Sequence, residues 1–366
     1  MTTMTGKAND HLLMLKKYAY LLVLLTPLSM LASYALWRTT QDDFWLWLTP
    51  AIVFILVPVL EQLIGRDSDN INEETQFEDL SKQRYYRWLI ILCAPLYLLT
   101  LAAGAWAFST QIEGWLAQLA WVFSMGTTGA VIAINVGHEL IHKNTKLERF
   151  AGGCLLAMVC YAGFKVEHVR GHHVWVSTPN DPSSSRFGQS LYHFWPRAVW
   201  HNTMNAWRLE HQRLRRRQLP FWRNELIGWY SLSAVLGGIM LMIWGVDGLL
   251  FFLVQSLIAF GFLEVINYIE HYGLARREQD NGRYEKTNVT HSWNSNFLLT
   301  NVLLFQLQRH SDHHAFPQRR YQVLRHHDES PQLPAGYATM ILIALIPPLW
   351  FRIMNPRVER YYDQAS

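Results

Sequence analysis

Long apolar runs alternate with polar blocks along this 366-residue chain. A helix needs roughly 20 apolar residues to cross the hydrocarbon core of a bilayer. Six runs reach this length and predict spans one to six at about 17–37, 44–64, 88–108, 115–136, 225–245 and 248–268. Two shorter apolar segments, at 150–164 and 337–351, are typical of re-entrant, interfacial or buried helices.

The polar blocks contain no alternating strand pattern, which predicts mostly short helices and loops. They lie at 65–87, 142–223 and 271–366, and we expect them to form one cap. The predicted fold class is therefore all-α. We expect a single integral membrane domain over residues 1–366, with six transmembrane helices and a helical cap rich in histidine.

The distribution of positive charge predicts the orientation of the spans, because cytoplasmic loops carry an excess of Lys and Arg. If the N-terminus is inside, the outward loops lie at 38–43, 109–114 and 246–247. Of the 32 Lys and Arg residues, only Arg38 falls in these loops. The chain is predicted to be a multi-pass protein of the cytoplasmic membrane, with both termini and the cap in the cytoplasm. Span one is too long for a typical signal peptide, so we interpret it as an uncleaved anchor.

Composition narrows the chemistry to imidazole ligands. The chain is 50% hydrophobic and only 16% charged, which agrees with the membrane class. Its three cysteines, Cys93, Cys154 and Cys160, form no CxxC pair. A disulfide framework, a rubredoxin-type iron site and a cysteine-ligated cluster are therefore disfavoured. Sixteen histidines indicate histidine as the metal ligand.

Four histidine motifs flank the predicted spans on their cytoplasmic side. The motifs are HELIHK, EHVRGHH, NYIEHYG and LQRHSDHH. Histidine at the edge of a bilayer is costly unless it has a partner, so such clusters indicate a functional site. The nine candidate metal ligands are His138, His142, His168, His172, His173, His271, His310, His313 and His314.

Helical spacing indicates which histidines can point at the same metal ion, although it does not assign each histidine to an ion. Residues at i and i+4 share one face, which pairs His138 with His142 and His168 with His172. His173 lies roughly 100° further round the helix and could serve another metal. If the last motif, LQRHSDHH, is helical, its three histidines at 310–314 are expected to lie on one face. Nine ligands exceed a mononuclear zinc site, so two metals are predicted, and imidazole leaves iron, copper, nickel and zinc open.

Nearby carboxylates are expected to accept hydrogen bonds from the distal ring nitrogens. The candidates are Glu139, Glu167, Asp181, Glu270 and Asp312. HELIHK also matches the HExxH signature of zinc proteases, which the other clusters and the membrane-edge position disfavour.

From about residue 65 to residue 357 the chain resembles the integral-membrane alkane 1-monooxygenases, within the wider group of histidine-rich membrane hydroxylases and desaturases. NYIEHYGLAR at 267–276 and the loop TPNDPSSSRFGQSLY at 178–192 are more specific than the histidine boxes, because desaturases share the boxes. HSWNSN at 291–296 and LQRHSDHHAFPQRRYQVLR at 307–325 extend the match. The chain departs from the family pattern at Ile71, Ile141 and Gln189, and none of these departures removes a histidine.

The resemblance implies terminal hydroxylation of medium- to long-chain n-alkanes to 1-alkanols in a bacterial inner membrane. It also implies that the nine histidines hold two iron ions, with dioxygen as co-substrate. Electrons would come from NAD(P)H through a separate reductase and rubredoxin. The basic cluster Arg213, Arg215, Arg216 and Arg217 could dock such an acidic carrier or contact anionic lipid.

Attack at C1 requires a narrow tunnel that presents the chain end-on, because a terminal C–H bond is stronger than an internal one. We expect apolar side chains of spans one, two, four and six to line it, with Val53 and Phe54 limiting its depth. The alternatives are hydroxylation of aryl methyl groups or other alkyl chains, a membrane desaturase, or a metal transporter. Nucleic acid is not an expected partner.

Overall fold

The structure is a computed structural model that describes residues 13–365, with side chains up to residue 363. Residues 1–12 and Ser366, which the sequence assigns to the cytoplasm, lie outside the described residues. Within 13–365 the helices are joined by loops, and the chain forms no strand, only isolated bridges. The prediction of an all-α membrane protein is therefore confirmed for the described part.

Spans one to four form as the sequence predicts, with slightly longer bounds. Helices that are long and apolar enough to cross a membrane run over Leu13–Thr40, Asp43–Ile64, Phe77–Thr110 and Trp115–Ile141. Span four extends five residues beyond its predicted end, because HELIHK continues the helix past the apolar run. This extension places His138 inside the helix.

Spans five and six belong to one helical run, Glu225–His271, of 47 residues. At about 1.5 Å per residue such a helix would be about 70 Å long, more than twice the bilayer core. The run breaks at Gly245, whose φ of 66° favours glycine. Gly237 lies beside Leu249 and Phe252, so the two halves fold back against each other. The two halves cover the segments predicted as spans five and six, 225–245 and 248–268.

The cap contains one helix that is longer than predicted, Leu191–Arg216, with 26 residues. Its buried positions recur every four residues from Phe194 to Leu214, which gives the helix a continuous inner face. The other cap helices are short, as expected, apart from the C-terminal one. They run over Lys146–Met158, 164–175, Leu298–Leu303, His310–Ala315, Tyr337–Ala344 and Pro347–Ala365.

The two short apolar segments do not form straight spans. The first forms the helix Lys146–Met158, which begins earlier than predicted because Thr145 caps it. The Thr145 hydroxyl accepts from the Glu148 amide at 3.2 Å, and the Glu148 side chain accepts from that hydroxyl at 2.5 Å. The second segment forms two helices, Tyr337–Ala344 and Pro347–Asp363, bent by 120°. This bend agrees with a re-entrant or interfacial segment.

Spans four and six pack directly against each other and hold the site in place. Gly126 of span four faces Ile258 of span six, and Gly129 faces Ala259. The missing side chains let the two helices approach closely. As a result, the cap-side ends of both spans, which carry His138 and His271, lie near each other.

Candidate metal centre

The structure brings all nine predicted histidines together in two groups. Within each group, ring nitrogens lie within 4.8 Å of one another. The first histidine group is His138, His142, His168, His173 and His313; the second is His172, His271, His310 and His314. The two groups are adjacent, since the rings of His173 and His314 stack with centroids 4.4 Å apart.

A backbone bulge at His168–His172 decides which histidine joins which group. The amide of His173 donates to the carbonyl of His168, five residues back, instead of four. The wider turn places His168 and His173 together, with Nε2 atoms 3.1 Å apart, and sends His172 to the other group. The predicted pairing of His168 with His172 is therefore wrong.

The helix His310–Ala315 serves both groups as well. His310 and His314 lie one turn apart in the second group, with Nε2 atoms 2.9 Å apart. His313 faces the first group, where its ring centroid is 4.5 Å from that of His138. The prediction of one shared face is wrong, because adjacent positions differ by about 100° and the helix lies between the two groups.

The ring nitrogens fit the donor set of two metal ions. In five rings the buried Nε2 has no hydrogen-bond partner: His138, His142, His172, His271 and His313. In the other four rings the Nε2 atoms face each other in pairs, at 3.1 and 2.9 Å. Two nitrogens that bind one ion at about 2.1 Å and a right angle are about 3.0 Å apart. Buried polar atoms without partners are rare, so these atoms indicate a missing ligand.

Burial favours the neutral form of most of these imidazoles, which is the form that binds a metal. His172 is the exception, because its contact with Asp181 outweighs its burial and raises its pKa. Burial lowers the pKa of His168, His173, His310, His313 and His314 well below the ordinary value. His173 is the least buried of the nine, and the other eight are buried. The site therefore lies almost entirely out of contact with water.

An apolar cavity leads to the histidine groups. Its walls come from spans two, four and six and from the helices Leu298–Leu303 and Tyr337–Ala344. Thr127 and His138 both line it, and their separation along span four corresponds to about 16 Å. His138, His168 and His310 are the histidines exposed to this cavity.

The two predicted tunnel residues, Val53 and Phe54, line this cavity, and the Phe54 ring packs against Phe262 with centroids 5.3 Å apart. Span one was also expected in the wall, and this expectation is wrong. Span one packs against span three, where Tyr34 contacts Trp106. The helix Tyr337–Ala344 takes its place, because it packs against both span two and span six.

Comparison with known proteins gives the family. The sequence profile of the fatty acid desaturase family matches residues 113–344. Alkane 1-monooxygenase 2 of Pseudomonas aeruginosa is 54% identical over 97% of this chain and 95% of its own length. The chain belongs to the alkane 1-monooxygenase family. Alkane 1-monooxygenase 2 of Alcanivorax borkumensis is 52% identical over 97% of this chain and 94% of its own length. The xylene/toluene monooxygenase hydroxylase component of Pseudomonas putida is 27% identical over 94% of this chain and 89% of its own length.

Two of the predicted carboxylates contact the histidines of this family member. The Asp181 Oδ2 atom lies 2.9 Å from Nδ1 of His172 and accepts from the Ser184 hydroxyl at 2.6 Å. The Glu270 Oε2 atom lies 3.0 Å from Nε2 of His310. Asp181 therefore contacts the Nδ1 atom of His172, which is the ring nitrogen that points away from the second group, as the sequence predicts. Glu270 instead contacts the Nε2 atom of His310, which points toward the other histidines of that group.

The other three carboxylates have different partners. Glu139 pairs with Lys143 at 2.8 Å, and Asp312 pairs with Arg319 at 2.7 Å. Glu167 accepts from the side-chain amide of a neighbouring asparagine at 2.9 Å. Burial raises the pKa of Glu167 to about 8. Of these three contacts, the one made by Glu167 joins two cap helices, 164–175 and Leu191–Arg216.

Three residues at the site were missed by sequence reasoning. Ser184 holds Asp181, and the hydroxyl of Ser292 lies 3.4 Å from Nδ1 of His271. Both belong to loops whose sequences mark the alkane 1-monooxygenase family, and that was the available signal. Tyr337 donates to Glu270 at 2.6 Å, and nothing in its sequence context distinguishes it from an ordinary apolar-helix residue.

The predicted docking arginines lie in the last turn of the helix Leu191–Arg216, with Arg217 directly after it. Arg213 is partly buried and bonds to Glu210 at 2.8 Å. Arg215, Arg216 and Arg217 are exposed. Only these last three are available to a partner or to lipid headgroups.

Proposed function

We propose that this chain hydroxylates the terminal carbon of medium- to long-chain n-alkanes and releases 1-alkanols. The observation that carries the proposal is the apolar cavity, whose wall includes histidines of both groups. The cavity offers an alkane a dry, apolar site that ends at a metal-binding position. The names of the relatives, alkane 1-monooxygenases, support the same reaction.

The proposed cofactor is a pair of non-haem iron ions, of which the five histidines of the first group would hold one and the four of the second group the other. When bound, the iron would supply the activation of dioxygen that insertion of oxygen into a C–H bond requires. The protein supplies the ligands, the exclusion of water and the aim of the substrate. Asp181 fixes the tautomer of His172 by accepting from Nδ1, so that Nε2 is free to bind.

The apolar walls are proposed to select C1 by geometry. An alkane has no polar group, so only the shape of the cavity can decide which carbon reaches the histidines. Val53, which is 8% exposed, is one of the two residues proposed to limit the depth of the cavity, together with Phe54. Val53→Trp should shift turnover from hexadecane toward octane. The matched control is Ile55→Trp, because Ile55 is 66% exposed on the same span. Unchanged chain-length profiles for Val53→Trp would contradict this role.

Electrons are proposed to come from NAD(P)H through a reductase and a separate rubredoxin. The exposed arginines Arg215, Arg216 and Arg217 would attract such an acidic carrier. Replacing all three with alanine should raise the KM for rubredoxin and weaken its salt dependence, since each exposed pair contributes about 0.2–1 kcal/mol. If the patch binds lipid instead, the KM for rubredoxin stays the same and association with anionic vesicles falls.

The chain is a multi-pass membrane protein, and we propose the bacterial inner membrane with both termini in the cytoplasm. The near absence of Lys and Arg from the predicted outward loops supports this orientation. Reporter fusions test it: an alkaline phosphatase fused after Arg38 should be active, and one fused after residue 366 should be inactive. The reverse pattern would invert the topology.

The decisive experiment combines metal analysis with product analysis. The purified protein should contain two iron ions and convert dodecane to 1-dodecanol when rubredoxin, its reductase and NAD(P)H are added. Octane, hexadecane and xylene are compared as substrates in the same assay, which separates alkane from aryl-methyl hydroxylation. Zinc in place of iron with no 1-dodecanol, or an alkene product, would overturn the proposal.

A further inference from the structure

Asn135 is an unpaired polar group in the wall of the apolar cavity. It lies on span four, one turn before His138, and lines the same cavity. It is 4% exposed, and its side-chain Nδ2 has no hydrogen-bond partner among the described residues. The amide therefore has two N–H donors aimed at no acceptor within the protein.

The other polar groups of this wall have protein partners. The Thr127 hydroxyl donates to the carbonyl of Phe123 at 2.9 Å, and Thr300 donates to Glu61. The Asn267 amide donates to Glu264 at 3.2 Å, and the Tyr337 hydroxyl donates to Glu270 at 2.6 Å. Apart from the histidines, Asn135 alone among these lining residues has its donor free.

A free buried donor destabilises a protein unless a ligand satisfies it. An alkane cannot do so, because it has no acceptor atom. A primary alcohol can, because its hydroxyl oxygen accepts from an N–H group. That hydroxyl also donates, so it can pair with either end of an amide. The position beside His138 matches the carbon that would carry a new hydroxyl.

We propose that Asn135 is the hydroxyl-binding residue for the 1-alkanol product. The proposal rests on the proposed function, since it assumes that the oxygenated carbon lies next to the histidine groups. Asn135 donates from Nδ2 to the hydroxyl oxygen of the alcohol, and the alkyl chain occupies the apolar part of the cavity. The site then binds a 1-alkanol more tightly than the alkane of equal length and releases the product slowly.

Binding without turnover tests this role. The intact holoenzyme, without reductant, is titrated with dodecane and with 1-dodecanol, and the increase in Tm gives both affinities. In Asn135→Leu, the ratio of alkanol to alkane affinity should fall about fivefold to tenfold, the effect of one net hydrogen bond. Competitive inhibition of dodecane turnover by 1-dodecanol should weaken by the same factor relative to the KM for dodecane.

The control is Thr127→Val, which removes a hydroxyl from the same wall that already has a protein partner. Its affinity ratio should stay within about twofold of the native value, since no bond to the product is removed. Asn135→Ala gives the same comparison with a smaller side chain, and iron content checks the fold of each variant.

Two results would overturn the assignment. The first is an affinity ratio that stays at the native value in both Asn135 variants, either because neither affinity changes, as for an amide that holds only a water molecule, or because both fall equally, as for a packing residue. The second is a shift of the ratio in Thr127→Val as large as that in Asn135→Leu. A protein that binds 1-dodecanol in this way but forms none from dodecane would overturn the proposed function and leave the hydroxyl site intact.

Discussion

Asp181→Asn tests whether one buried hydrogen bond positions a ligand of the second histidine group. The side chains of Asp181 and His172 are almost completely buried, and the carboxylate contacts Nδ1 of the ring at 2.9 Å. The substitution keeps the shape of the side chain and removes its charge. A neutral amide accepts a weaker hydrogen bond than a carboxylate, so His172 loses part of its orientation and basicity.

Loss of such a supporting group typically lowers metal affinity about 10- to 100-fold, or about 1.4–2.7 kcal/mol. The effect should fall on one of two ions, since Asp181 contacts only His172 among the nine histidines. Ser184→Ala removes the 2.6 Å hydrogen bond that holds the carboxylate. This second change acts one step further away, so we expect a smaller loss, about two- to tenfold.

The assay is an anaerobic competition for iron with a chelator of known affinity, read as iron bound per chain. The native protein should release two ions at similar chelator concentrations. Asp181→Asn should release one ion at a concentration about 10- to 100-fold lower. Asp328→Asn is the control, because its carboxylate is fully exposed and contacts His326, outside both groups. Equal retention of both ions in Asp181→Asn, or equal loss of both, would refute the reasoning.

Three further predictions concern stability. Gly126→Ala should lower the Tm, because its new methyl group would lie 2.5 Å from Ile258 and such overpacking costs about 1–3 kcal/mol. The control is Gly238→Ala, whose methyl group meets no atom within 4 Å, so the Tm should stay unchanged or rise. Thr145→Ala removes a helix cap worth about 1 kcal/mol and should give a smaller decrease, measured by thermal unfolding in the same detergent. Removal of iron by a chelator should lower the Tm of the native protein, and re-addition should restore it, because a ligand bound only to the folded state stabilises it.

The sequence was sufficient for those parts of the fold that depend on long patterns. Each span is a run of apolar residues, and the nine histidines stand out against so few cysteines. Val53 and Phe54 line the cavity, and their role in limiting its depth stays a prediction. These features depend on residue type over many positions, which a single sequence displays directly.

The division of the histidines into two groups could not be predicted in the same way. It depends on one backbone hydrogen bond, from His173 to His168, which widens a helical turn. Nothing in the sequence EHVRGHH distinguishes that wider turn from an ordinary helical turn. The pairing of Glu139 with Lys143 is similar, because only the fold reveals whether an acidic residue faces a histidine or a lysine.

The order of the site along the chain has a consequence for its assembly. Translation proceeds from the N-terminus, so all the straight spans have left the ribosome before His310, His313 and His314 are synthesised. Tyr337–Ala344, which closes the cavity, follows later still. A nascent chain therefore has only six of the nine imidazoles, beside a cavity that is still open. In the proposed two-metal site, both groups are complete only after the helix His310–Ala315 has packed against the membrane helices, so we expect metal loading to be a late event.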